Sequence, residues 1–265
     1  MILPFLALAA AQAAAPAPSQ SDQALFHACA DLAKSSPDKA VDQANDWYLR
    51  GGGIFARQCL GLAYTSLERW APAAVAFEQA ARLAESAQDP RRSDFWVQSG
   101  NSWLAADDPT KARSAFDSAL ATGALAKELQ GEVYLDRARA DVALNDPASA
   151  RADLDKGLDL VPGDPFAWLL SANLAMRQEA LPRAQADIAK ALQLAPGDAD
   201  VLVQAGNIAG AAGDAEAARS FFTRAVQADP DSEAGKAAQA ALAENSGDAT
   251  PQAVPAASAQ PQPKG

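Results

Sequence analysis

Residues 131–164 read GEVYLDRARADVALNDPASARADLDKGLDLVPGD, residues 165–198 read PFAWLLSANLAMRQEALPRAQADIAKALQLAPGD, and residues 199–232 read ADVLVQAGNIAGAAGDAEAARSFFTRAVQADPDS. Set one beneath another at a step of 34 residues, the three lines agree in chemical type at five landmark columns. Tyr134, Trp168 and Leu202 share a column, as do Ala138, Ala172 and Gly206, then Ala150, Ala184 and Ala218, then Leu154, Ile188 and Phe222, then Pro162, Pro196 and Pro230. A period of this size marks stacked supersecondary units, none of which can bury its apolar face alone. Ala184, Ile188 and Ala191 recur at spacings of four and three, which puts them on one face of a helix. Pro-Gly-Asp at Pro162–Asp164 and Pro196–Asp198 ends one helix pair and caps the next.

The pattern continues upstream. Gly61, Tyr64, Ala73, Phe77 and Ala80 reappear 39 residues later as Gly100, Trp103, Ala112, Phe116 and Ala119, and the next step, to Ala138 and Ala150, is 38. Because the landmarks move together, the extra residues belong between units, around Ala84 to Asp94, where Pro90, Arg91 and Arg92 point to a longer turn. Small residues such as Gly100, Ala172 and Ala184 let helix backbones approach, while Phe77, Phe116, Leu154, Ile188 and Phe222 fill the space between units.

These columns resemble the tetratricopeptide repeat, whose order of aromatic, Gly, aromatic, Ala, Phe, Ala and Pro they follow over most of the chain. The resemblance implies an all-α fold, a right-handed α-solenoid of about five helical hairpins at 54–87, 93–126, 131–164, 165–198 and 199–232. Ala138 and Ala172 stand where Gly is usual, and Gly157 where Ala is. In front, residues 21–53 read as a degenerate hairpin ending in Gly51, Gly52 and Gly53. Behind, residues 233–244 read as an alanine-rich capping helix, and residues 245–265, rich in Pro, Gln and Ala, as a disordered tail.

Composition agrees with helices: 49% of the 265 residues are apolar, much of that alanine, and only 6% are aromatic. A formal charge of -11 disfavours nucleic acid and anionic membranes as partners. Met1 to Ala15 form an apolar run with Ala11, Gln12 and Ala13 as a small-x-small site, so residues 1–20 read as a signal peptide cleaved near Ala13, though no Lys or Arg precedes the run. The run is shorter than the roughly 20 residues a membrane span requires. The expected location is therefore periplasmic or secreted, with no transmembrane segment in the mature protein. Cys29 and Cys59 are the only cysteines. In an oxidising compartment they can form a disulfide; otherwise they are buried thiols.

Catalytic constellations are missing from the sequence. His27 is the one histidine and reads as a partly buried helix residue, no Gly-x-Ser-x-Gly elbow occurs, and no His-Glu-x-x-His or Cys-x-x-Cys pair is present. Asp153 with Asp155 resembles a calcium loop only in composition, and Asp108 and Asp146, each before Pro, suit helix caps. Gly51 to Gly53 lead into Ile54 and Phe55, without the Lys-Ser or Lys-Thr of a phosphate cradle. No catalytic residue, metal or cofactor is expected. Trp96, Trp103 and Trp168 fall in repeat columns and read as core, while Trp47 and Trp70 stay open to other roles.

In proteins of the resembled family the first helix of each hairpin lines a groove that receives a peptide. The place after the Gly or Ala landmark holds Leu62, Asn101, Arg139, Asn173 and Asn207, and an Asn amide can pair with a peptide group whatever its side chain. The alternative is an Asn bonded within its own hairpin. Phe55, Val97, Leu135, Phe166, Leu169 and Val203 are expected as apolar groove lining, in place of the lysines of a clamp for acidic tails. The function expected is a non-catalytic protein-interaction scaffold in the bacterial cell envelope that holds a peptide or helix of a partner. Two other readings stay open: a polysaccharide-binding or enzymatic factor with its site near His27, Trp47 and Trp70, and a self-assembling scaffold.

Overall fold

A computed structural model describes residues 20–244. The expected signal peptide and the expected disordered tail lie outside the described residues, apart from Gln20. Among those described there are thirteen helices and no strand. They are α1 (Gln20–Ser35), α2 (Pro37–Leu49), α3 (Gly53–Ser66), α4 (Trp70–Ser86), α5 (Arg92–Ala105), α6 (Pro109–Ala121), α7 (Lys127–Ala143), α8 (Pro147–Leu160), α9 (Pro165–Arg177), α10 (Leu181–Leu194), α11 (Ala199–Ala211), α12 (Ala215–Ala228) and α13 (Glu233–Glu244). Tyr134, Trp168 and Leu202 stand at equivalent places in α7, α9 and α11, as the 34-residue period requires.

Within the described residues the chain forms two compact units. One runs to Ala106 and includes Ala121–Ala124; the other takes in Asp107–Leu120 and everything from Leu125. In the first unit α1 packs on α2 and α3, α2 on α3, α3 on α4 and α4 on α5. In the second, α7 packs on α8, α8 on α9, and so on to α13, while α9 also touches α7 and α11.

Cores form where the columns place small and large residues together. Ala172, Ala184, Ile188 and Ala191 pack with Val201, Ala205 and Ile208 of the following hairpin. Leu202, Ala218, Phe222 and Ala225 pack with Ala234, Ala238 and Ala241 of α13, so the last helix covers an apolar face that would otherwise meet water. Burying one such aliphatic side chain is worth about 1.5–3 kcal/mol.

The turn inside each of the five repeat hairpins from α3 to α12 has one conformation. Glu68, Asp107, Asn145, Glu179 and Gly213, seven residues beyond Gly61, Gly100, Ala138, Ala172 and Gly206, all have φ between 54° and 81°. This left-handed residue ends the first helix, and only Gly adopts it without a steric penalty. Aspartates start many of the helices: the side chains of Asp146, Asp164, Asp198 and Asp214 accept the backbone N–H of Ser149, Phe166, Val201 and Ala217.

Two boundaries differ from the sequence expectation. The residues added around Ala84 to Asp94 are partly helical, because α4 runs to Ser86 before its turn. The third hairpin begins at Lys127, four residues before Gly131, since Lys-Glu-Leu-Gln extends α7 with good helix formers.

Candidate functional site

Arg139, Asn173 and Asn207 occupy one register on α7, α9 and α11, three first helices of the second unit of which the middle one touches both others. All three side chains are half-buried. Asn207 donates weakly to Gln204 Oε1 at 3.4 Å on its own helix, and Arg139 Nη1 donates to Asp136 Oδ1 at 3.0 Å. Asn173 differs from both. Its Oδ1 is buried and accepts no hydrogen bond. An acceptor left in that state costs about 1–3 kcal/mol. Phe166 and Met176 of α9, partly exposed and packed on the core beneath, add apolar surface on the same helix.

Most of the expected apolar lining lies elsewhere. Val97, Leu135, Leu169 and Val203 are buried; Leu135 packs with Leu154 and Leu174, Leu169 with Ile188, and Val203 with Phe222. The cause is clear for Leu135, whose Cδ2 would lie 2.5 Å from a Cβ on Gly157. The glycine where Ala is usual is what lets that leucine sink between the helices. The face left to a partner is thus more polar than the sequence suggests.

In the first unit Asn101, Leu62 and Phe55 are half-buried. The Phe26 ring of α1 stands 5.6 Å from that of Phe55 and the Arg91 guanidinium 4.5 Å above it. Asp89 fixes that guanidinium through two hydrogen bonds and is itself held below the usual carboxylate range by them. Cys29 and Cys59 are joined in a disulfide with Cα atoms 6.1 Å apart, tying α1 to α3. His27 is exposed rather than partly buried, with its ring 5.9 Å from that of Phe26. Trp47 is buried and lies where a side chain on Gly52 would have to be. Trp96 and Trp103 are buried, and the Trp168 indole N–H donates to the Pro162 carbonyl.

A set of ion pairs, some of them buried, runs through the second unit and has no counterpart in the sequence expectation. Arg137 of α7 donates to both oxygens of buried Asp153 in α8, at 2.6 and 2.8 Å, and to Asp117 of α6 at 2.6 Å. Asp153 and Asp155 therefore serve two different contacts: Asp155 takes Arg151 of its own helix and Arg183 of α10. The Ser171 hydroxyl donates to Asp187 and accepts from Arg151. Among the described residues no group of three or more His, Cys, Asp or Glu side chains is placed to hold a metal ion. No described helix is long and apolar enough to cross a membrane.

Comparison with known proteins places this geometry. Residues 199–232 match the family model for the tetratricopeptide repeat, the interval delimited by the 34-residue period. Residues 199–232 are thus a tetratricopeptide repeat. Its array is similar to PilW, described as a widely conserved type IV pilus biogenesis factor, with a TM-score of 0.67 and 20% identity over 83% of this chain and 98% of that one. It is also similar to Pseudomonas aeruginosa PilF, with a TM-score of 0.63 and 15% identity over 83% of this chain and 99% of that one. A third similar structure is YrrB, described as a tetratricopeptide-repeat protein with an unusual peptide-binding site, with a TM-score of 0.53 and 19% identity over 77% of this chain and 98% of that one. At these identities the likeness establishes the fold. By sequence, none of the curated proteins matches the chain.

Proposed function

We propose that this protein is a non-catalytic interaction scaffold that takes a segment of a partner polypeptide on the α7, α9 and α11 face, at Arg139, Asn173 and Asn207. The observation that carries the reading is the buried, unaccepted Oδ1 of Asn173 at the centre of that row. A peptide N–H is the donor it lacks once the half-buried amide turns outward, and an amide neighbour at the same register, Asn207, is held by one long hydrogen bond of 3.4 Å that a guest backbone can replace. Two half-buried apolar side chains, Phe166 and Met176, offer contact to a guest side chain. The peptide-binding site named for YrrB and the pilus-biogenesis role named for PilW supply precedent on the same fold.

The apolar run at Met1 to Ala15 supports a place in the cell envelope, and no observation favours a site around His27, which is exposed beside Phe26. The test is selection of dodecamer peptides from a random library on the full chain, then titration against Asn173→Ala and Asn207→Ala. Each loss of a peptide hydrogen bond is worth about 0.5–1.5 kcal/mol, so each variant is expected to bind about two- to tenfold more weakly with an unchanged circular dichroism spectrum. Equal affinity for the double variant removes the proposed face.

A further inference from the structure

The second unit contains three buried aspartates, and one of them is treated differently from the rest. Asp153 accepts two hydrogen bonds from Arg137. Asp187 accepts from the Ser171 hydroxyl and from Arg183. Asp141 of α7 is only 2% exposed, yet its Oδ1 accepts nothing. The nearest cation, Arg113 Nη1 of α6, stands at 3.3 Å, out of line for a hydrogen bond, and divides itself between Asp141 and Asp146 Oδ2 at 3.6 Å.

Arg113 forms one wall of a cleft of about 440 Å³. Thr110, Ser114 and Asp117 of α6 line it with Arg113, and Leu144 and Asp146 of the turn between α7 and α8 close the other side. Asp146 uses Oδ1 to cap α8 and leaves Oδ2 toward Arg113. Asp117 shares Arg137 with Asp153. Asp141 and Asp146 thus share one solvent-reaching guanidinium, 42% exposed, and Asp117 shares a second with buried Asp153 of α8. Burial holds the Asp141 carboxyl above the ordinary range despite Arg113, which is the sign of a charge short of compensation.

We propose that this cleft is a second interaction site, separate from the α7, α9 and α11 face, that receives an arginine side chain of a basic partner segment. A guanidinium presents a planar fork of donors that matches a carboxylate, and its methylene stem can lie on Leu144. It reaches Asp146 and Asp117 directly and pushes Arg113 fully onto Asp141, completing that pairing. The chain's net charge of -11 draws such a segment in from a distance.

The probe is the hexapeptide Gly-Arg-Gly-Arg-Gly-Arg, with the same peptide carrying citrulline for arginine as its uncharged match, titrated into ¹⁵N-labelled full-length protein. Saturable shifts are expected in the amides of residues 110–117 and 144–146 with arginine and none with citrulline. Ser114→Lys, at an exposed position, fills the cleft with its own cation and is expected to weaken binding at least tenfold; Asp141→Asn is expected to weaken it at least threefold. Asn173→Ala, on the other face, is expected to leave it unchanged, which separates the two sites. Shifts spread over the acidic surface without saturation, equal shifts with citrulline, or affinity unaffected by Ser114→Lys each overturn the proposal.

Discussion

A β-carbon on Gly206 would lie 2.5 Å from Cε1 of the Phe222 ring, and the same 2.5 Å separates a β-carbon on Gly61 from Cε1 of Phe77. The landmark glycine of the first helix is therefore the floor on which the phenylalanine of the second helix rests. Where the floor is alanine, at Ala138 and Ala172, the partner is the smaller Leu154 or Ile188. Two columns that look independent are one steric choice made twice.

Gly206→Ala is accordingly expected to destabilise the second unit by about 1–3 kcal/mol through overpacking. Adding Phe222→Ile to it converts the pair to the Ala172 and Ile188 arrangement and should restore at least half of the loss. Urea midpoints of the two variants and the parent measure this; a double variant no better than Gly206→Ala contradicts the exchange.

Glu179 holds φ at 57° in the turn between α9 and α10, where Gly213 serves the equivalent turn. A side chain in this conformation costs about 1 kcal/mol or somewhat more relative to Gly. Glu179→Gly should raise the urea midpoint of the second unit, an unusual direction for an exposed residue, and a fall would show that the side chain has another role.

Arg137→Ala leaves Asp153 buried without its two hydrogen bonds, and about 3–5 kcal/mol of destabilisation is expected. Replacing both partners, Arg137→Met with Asp153→Leu, removes the stranded charge and should recover most of that loss. A double variant as unstable as the single one would mean that the pair contributes through Asp117 instead.

Burial raises the pKa of Asp141 in the folded chain. The folded state binds this proton more tightly than the unfolded state, so the contribution to stability is full below the unfolded value, near 3.9, and is lost as pH rises through the folded value. Asp141→Asn carries no such charge. It should match the parent at pH 3 and exceed it in thermal midpoint at pH 7; a variant less stable at pH 7 would show that Arg113 compensates Asp141 fully.

Much of the architecture was legible from residues that repeat in type. The Gly, Ala, Phe and Pro columns locate every hairpin from α3 to α12, and the aspartates of the Pro-Gly-Asp turns cap α9 and α11 as their position suggests. The left-handed turn residue was not legible, because Glu68, Asp107, Asn145, Glu179 and Gly213 share a conformation without sharing a chemical type. Nor was the ion-pair set, since Asp153 and Asp187 lie among exposed charges in the sequence, and only packing against Arg137 of α7 and Ser171 of α9 separates them from solvated ones. The burial of Leu135 depends on Gly157, 22 residues away in another helix. Asn173 was singled out by its column, but its unaccepted oxygen required the structure.

The central claim is that α7, α9 and α11 present the face that holds a partner. Its most direct test is a photo-crosslinking amino acid placed in living cells at Met176, on that face, and separately at Lys190, exposed on α10. The account predicts discrete adducts from position 176 that disappear with Asn173→Ala and Asn207→Ala, and none from position 190. Adducts of equal yield from both positions, or none from 176, would contradict it.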